Sequence, residues 1–133
     1  NKDSIIIGSD EVAVIGTKIL GKPITVSNAK NQLKLISGKK VIFKTGLCVI
    51  SLSQKKIYRS ITNYSIKMKK LSDDQINDYI KKEDMLNCAS SIRIEGLAIN
   101  LIENAQGKDP TSIIGLPLIK LSYYLEKLGH KVL

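Results

Sequence analysis

The sequence predicts one mixed α/β domain, and three observations carry that prediction. Apolar runs rich in Ile and Val alternate with polar residues at the two-residue period of a strand, most clearly at Ile66-Lys67-Met68-Lys69. Two other segments carry helix signals instead. Ser27 opens one with Ala29, Leu33 and Ile36 on a single face, and Ser72 with Gln75 forms a capping box ahead of Ile76, Tyr79 and Ile80. No linker and no internal repeat divides the 133 residues, so residues 1–133 read as a single domain.

The elements follow in order. Ser4–Ile7 is a short apolar strand ending in the turn-forming Gly8-Ser9-Asp10, and Val12–Ile15 is a second strand. Gly16-Thr17 turns that strand back into Lys18-Ile19-Leu20. The first helix runs from Ser27 to its stop at Gly38. Val41–Phe43, Leu47–Leu52 and Ile57–Met68 read as strands, with a turn at Ser53-Gln54-Lys55. After the Ser72 helix, Leu86–Ala98 is irregular and Ile99–Ile102 is expected to be a strand. The last helix has Pro117 at its first position and stops at Gly129, with Leu118, Leu121, Leu125 and Leu128 facing inward.

Composition narrows the function classes. At 43% apolar and 25% charged the chain is ordinary globular material rather than a disordered tail. Its net charge of +9 suggests a phosphate-rich partner, but the excess is local. Nine basic residues and no acidic one lie between Lys39 and Lys70, and the remainder balances at twelve of each. Only Arg59 and Arg93 are Arg, whereas readers of nucleic acid favour Arg for bidentate contacts. The apolar runs are too short to span a bilayer and no secretion signal is visible, which points to a cytoplasmic protein. Cys48 and Cys88, without CxxC spacing, read as buried reduced thiols. The single histidine, His130, follows a helix end and reads as a surface residue, so metal clusters and His-dependent nucleophiles lack support. No P-loop or dinucleotide-binding glycine motif occurs.

Carboxylates and lysines are left to carry chemistry. Asp10 and Glu11 follow an apolar strand directly, where an acid can hold a divalent metal or take a proton from water; a structural turn Asp is the alternative. Lys22 stands between Gly21 and Pro23, which restrict its direction and suit a fixed charge for phosphate; a solvated loop is the alternative. Glu95-Gly96 lies in a segment too irregular to be a solvated helix face. Gly107-Lys108-Asp109-Pro110-Thr111, followed by Gly115-Leu116-Pro117, would bring a loop to a helix N-terminus, a place that favours anions.

In order and at matching spacing, Ile7-Gly8-Ser9-Asp10, Leu20-Gly21-Lys22-Pro23, Thr45-Gly46, Glu95-Gly96 and Gly115-Leu116-Pro117-Leu118 resemble the Maf family of nucleoside triphosphate pyrophosphatases. The likeness runs over essentially the whole chain. Residues 86–97 and 107–111 resemble the 7-methyl-GTP branch, where a dTTP- and UTP-preferring branch has Gln in place of Glu95. The resemblance implies a mixed twisted sheet flanked by helices, like that of inosine triphosphate pyrophosphatases. It implies cleavage between the α- and β-phosphates, with Asp10 as proton acceptor and metal-placing group. It also implies phosphate binding by Lys22, substrate choice by Glu11 and Glu95, a divalent cation (Mg²⁺ or Mn²⁺), and a homodimer. A carboxylate also has its own reason to prefer guanine, whose N1–H and N2–H₂ are adjacent donors worth about 1.5–3 kcal/mol each when charge-assisted. Methylation at N7 makes that base cationic and adds to the attraction.

Some positions depart from the pattern. The family's N-terminal Ser-x-Ser-x-x-Arg loop has no counterpart, so the chain is expected to be the later two-thirds of a longer protein that begins before Asn1. Ser90 and Ala98 stand where the branch has Gly, Arg93 where it has Lys, and Glu11 where Gln is common. Two alternatives to the enzyme remain open. One is a nucleotide-binding remnant without activity; the other is a nucleic-acid-binding module using the Lys39–Lys70 strands, with affinity falling steeply with salt.

Overall fold

The structure, a computed structural model, describes residues 3–133; Asn1, and the expectation attached to it, lies outside the described residues. Five strands form one sheet in the order β2-β1-β3-β4-β5, and every neighbouring pair is antiparallel. They are β1 (Ile5–Ile15), β2 (Lys18–Leu20), β3 (Lys40–Ser51), β4 (Lys56–Met68) and β5 (Ile102–Gly107). Three α-helices accompany them: α1 (Val26–Ile36), α2 (Asp73–Lys82) and α3 (Leu118–Lys127). The α/β class therefore holds.

Register shows which face of the sheet is covered. Ala13 lies across from Phe43 and Phe43 from Tyr64, while Ser9 lies across from Leu47 and Leu47 from Ser60. Residues of this parity point one way. Ala13, Val41, Phe43, Ile66 and Met68 pack with Leu33 and Ile36 of α1 and Ile76 and Tyr79 of α2. Further along the same face, Leu47 and Val49 pack with Leu121, Tyr124 and Leu128 of α3. The opposite parity leaves Ile6, Ile57 and Ile61 at 49%, 54% and 74% exposure. Helices thus cover one face of the sheet.

Several boundaries differ from expectation. Gly8-Ser9-Asp10 is not a turn: β1 runs straight through it, because every residue from Ile5 to Val14 finds a partner on β3. For the same reason Val41–Phe43 and Leu47–Leu52 merge into one strand that ends at Ser51. The first helix starts earlier, with Thr25 rather than Ser27 at its cap; the Thr25 hydroxyl accepts from the Asn28 amide at 3.2 Å. The capping box at Ser72 and Gln75 is present as read.

Ile99–Ile102 is not a strand. Leu97–Leu101 forms a 3₁₀ turn and β5 begins only at Ile102. Its Glu103-Asn104-Ala105-Gln106 is an exposed edge without apolar alternation, and its last residue, Gly107, leaves room for the Tyr64 ring; a Cβ there would fall 2.1 Å from Tyr64 Cδ2. In α3, Pro117 caps the helix rather than starting it. Leu118 points outward at 48% exposure, and Tyr124 takes the buried place beside Leu121 and Leu128. Cys48 and Cys88 are free thiols as expected, but half-buried rather than buried. His130 is exposed. No helix among the described residues is long and apolar enough to cross a membrane.

Candidate active site

One wall of the site comes from the middle of β1. The short strand β2 pairs only with Ala13, Val14 and Ile15, so the edge of β1 at Ser9, Asp10 and Glu11 carries no strand neighbour on that side. Side chains from both faces of β1 can reach a hollow at such an edge. Glu11 points toward the covered face and lies across from Thr45, whose hydroxyl is 3.2 Å from Glu11 Oε2 and donates to the Ser112 carbonyl at 2.8 Å. Asp10 lies across from Gly46, and its Oδ1 accepts the Glu11 amide at 2.8 Å. Burial pushes the Glu11 carboxyl up to about 7 from an ordinary 4.5. The Thr45 hydroxyl opposes the rise, and the carboxylates of Glu95 and Asp10 add to it.

The other wall consists of chain segments without ladder hydrogen bonds. Residues 21–24 carry Lys22 and are tied to residues 86–91 by backbone bonds from Ile24 to the Leu86 carbonyl (3.0 Å) and from Ser90 to the Gly21 carbonyl (3.1 Å). Gln32 of α1 donates to the Gly21 carbonyl and accepts from the Ser91 hydroxyl at 2.7 Å. The Tyr79 hydroxyl of α2 donates to the Ser91 carbonyl at 2.7 Å and accepts from the Arg93 amide at 3.1 Å. Ile24 and Ser90 hold φ of 68° and 55°, a conformation that side-chain-bearing residues rarely adopt.

Residues 112–115 close this wall. The Ser9 hydroxyl donates to the Gly115 carbonyl, and Thr45 binds that of Ser112. Behind them sits Asp109, only 3% exposed. Its Oδ1 accepts from the Thr111 amide (2.8 Å) and hydroxyl (2.5 Å), and its Oδ2 from the Ile119 amide at 2.9 Å. Burial alone would raise this carboxyl, but those donors outweigh it and hold it below the usual aspartate range.

Together the walls enclose a cavity of about 260 Å³, and all four residues singled out in the sequence line it: Asp10, Glu11, Lys22 and Glu95. A larger and more apolar hollow of about 600 Å³ lies against the open sheet face, lined by Arg59 and Ile61 among others, and shares Ser9 and Asp10 with the first. The helix N-terminus expected to favour anions holds one from the chain itself. Its Ile119 amide is taken by Asp109 and its Leu118 amide by the Thr111 hydroxyl at 2.8 Å. Sequence reasoning missed Asn87, Cys88, Ile92 and Ile113 as lining residues, and Thr45 as the partner of Glu11. Thr45-Gly46 already stood among the quoted motifs, and Asn87, Cys88 and Ile92 lie within the quoted stretch 86–97; Ile113, between two quoted motifs, carried no signal of its own. Burial first, then Glu95, pushes the Cys88 thiol up, which disfavours its thiolate form.

Metal binding can be tested on the donor set. Among the described residues no three His, Cys, Asp or Glu come close enough to hold an ion. That argues against an all-protein cage. Mg²⁺ and similar hard cations, however, are bound by one or two carboxylates together with substrate phosphates, and Asp10 fits that role.

The comparisons with known proteins give the family. Residues 1–128 match the family described as Maf-like protein. The chain is 42% identical over 131 residues to a 7-methyl-GTP pyrophosphatase of Nitrosococcus oceani, covering 98% of this chain and 66% of that protein. It is 48% identical to the protein of the same name in Pseudoalteromonas translucida (97% and 64%) and 45% identical to that of Aliivibrio fischeri (97% and 67%). It thus spans about two-thirds of the length of these relatives, just under that share for the first two. With the motifs in order, their residues gathered at one cavity and nearly every residue matched, the chain belongs to the Maf family.

Proposed function

We propose that this domain, residues 1–133, hydrolyses a nucleoside triphosphate, 7-methyl-GTP or another modified one, to the monophosphate and pyrophosphate. The observation that carries the reading is that Asp10, Glu11, Lys22 and Glu95, from three separate parts of the chain, line one cavity. The names of the relatives support the substrate. At about 260 Å³ the cavity is smaller than the roughly 300–1,000 Å³ of most small-molecule sites, so the nucleotide extends from it toward the larger hollow that shares Asp10.

In this reading Asp10 accepts a proton from the attacking water. The water oxygen forms a new bond to the α- or β-phosphorus, the bond from that same phosphorus to the α–β bridging oxygen breaks, and the products are the nucleoside monophosphate and pyrophosphate. Lys22 holds the triphosphate as a point charge, and Glu95 accepts from the guanine N–H donors. Glu11, with its raised pKa, carries little charge below neutrality and so presents a hydrogen-bonding carboxyl rather than a second repelling anion. Asp10 would help to hold a divalent cation, Mg²⁺ or Mn²⁺, which when bound neutralises phosphate oxygens. We place the activity in the cytoplasm, in removing modified nucleotides from the pool, and in a homodimer.

The test is pyrophosphate release from 7-methyl-GTP with Mg²⁺, and Asp10→Asn should lower the rate by at least about 100-fold. No release from any nucleotide overturns the reading. The alternative reading is a nucleotide-binding domain without activity. Tight nucleotide binding without turnover is its signature.

A further inference from the structure

Glu95 stands on a segment with no strand or α-helix of its own, yet a carboxylate that selects a base must be held in place. What holds it is a side chain twelve residues earlier. Glu83 caps the C-terminus of α2, and its side chain is only 13% exposed. Its Oε2 accepts the Leu97 amide at 2.8 Å, and its Oε1 faces Arg93 Nη1 at 3.3 Å and the Asp84 amide at 3.2 Å. Arg93 Nη1 also donates to the Asp84 carbonyl at 3.3 Å, and its Nε lies 3.4 Å from Glu95 Oε1.

Glu83 therefore grips the chain two residues before Glu95 and two residues after it. It also holds the guanidinium that contacts the Glu95 carboxylate. The grip depends on a missing side chain: a Cβ on Gly96 would fall 2.3 Å from Glu83 Oε2. A neutral side chain at position 83 would free Arg93 to swing away, and a shorter one would also release the Leu97 amide.

We infer that Glu83 is a positioning residue for base selection, fixing the Glu95 carboxylate through Arg93 and the Leu97 amide. This rests on the nucleotide reading above. Glu83 touches no reacting atom, so its effect belongs in substrate discrimination rather than in the chemical step.

The experiment compares the wild type, Glu83→Gln, Glu83→Ala, Glu95→Gln and Glu83→Ala/Glu95→Gln with 7-methyl-GTP and UTP in Mg²⁺. Glu83→Ala should lower the ratio of kcat/KM for 7-methyl-GTP over UTP by about 5- to 20-fold, mostly through KM. Glu83→Gln, which keeps an acceptor for Leu97, should recover part of the loss. The double variant should discriminate no worse than Glu95→Gln alone, because both changes act through one group. Amide exchange without nucleotide gives a second readout: the Leu97 amide should exchange at least about 10-fold faster in Glu83→Ala. An active Glu83→Ala with unchanged discrimination overturns the inference, and so does unchanged exchange at Leu97, with no reference to any substrate. Failure of the wild type to hydrolyse either nucleotide overturns the nucleotide reading instead, and the exchange result still decides whether Glu83 holds the segment.

Discussion

Glu11 and Glu95 face the same cavity, but they are held there by different means. Glu11 belongs to β1, where each residue from Ile5 to Val14 has a partner on β3, so its backbone is fixed whatever side chain it carries. Glu95, Lys22 and Gly115 sit on segments without a ladder, fastened by a handful of side chains: Gln32, Tyr79, Glu83 and Asp109. The strand wall spreads its stabilisation over many backbone bonds. The loop wall concentrates it in a few polar side chains, each of which leaves backbone or hydroxyl partners unpaired when removed. Mutational damage should therefore be uneven. Removing a carboxylate from the strand wall should cost function with little stability, and removing a fastening carboxylate from the loop wall should cost stability first.

The widest contrast is between Asp10 and Asp109. Asp109→Ala takes away the acceptor of the Ile119 and Thr111 amides, leaves a hole where a buried carboxylate stood and loosens the start of α3, for an expected loss of about 3 kcal/mol. Asp10 is exposed, and Asp10→Ala should stay within about 0.5 kcal/mol of the wild type. Urea unfolding of the two variants decides the matter; equal losses would contradict the two-wall picture. The glycines give the same contrast at smaller size. Gly96→Ala drives a Cβ into the Glu83 carboxylate and breaks its contacts, costing about 2 kcal/mol. A Cβ on Gly46 meets only the Asp10 carbonyl at an ordinary 3.9 Å, so Gly46→Ala in the strand wall should cost little, with thermal melting as the measurement.

The loop wall also contains a defect whose repair should stabilise. Ser90 holds φ of 55° and ψ of 19°, and its buried hydroxyl has no hydrogen-bond partner among the described residues. Ser90→Gly removes both the left-handed strain and the unpaired oxygen, for an expected gain of about 1–2 kcal/mol. A loss of stability in chemical denaturation would show that the hydroxyl is needed there.

The same division separates what was legible in the sequence from what was not. Asp10 and Glu11 stood out because an apolar strand delivers them, and Lys22 because Gly21 and Pro23 frame it. Even so, the apparent turn at Gly8-Ser9-Asp10 was dissolved by pairing with β3, and pairing is tertiary information that local turn propensity does not contain. β5 was missed because an exposed edge strand of Asn, Ala and Gln has no hydrophobic period to read. The roles of Asp109 and Glu83 were hidden for a different reason. Asp109 caps a helix ten residues ahead, and Glu83 reaches across fourteen to Leu97, so neither fits a local capping pattern. The glycine- and proline-rich approach to α3 looked ready for an anion, and the chain supplies that anion itself.

The finest contrast lies within the strand wall. Burial holds the folded-state pKa of Glu11 near 7, above its ordinary 4.5, so the folded protein binds that proton more tightly than the unfolded chain does. The proton's contribution to stability is complete below about pH 4.5, declines as the pH rises and is gone above about pH 7. Glu11→Gln keeps a neutral hydrogen-bonding group and loses the titration. The variant and the wild type should therefore match near pH 4 and separate through the window between the two pKa values. Because Glu11 is only partly buried, solvent screening reduces the separation to about 1 kcal/mol at pH 8. Denaturation midpoints at pH 4, 6 and 8 measure it. A constant difference across that range would mean that Thr45 and its neighbours, rather than the removal of Glu11 from water, set the stability of this part of the strand wall.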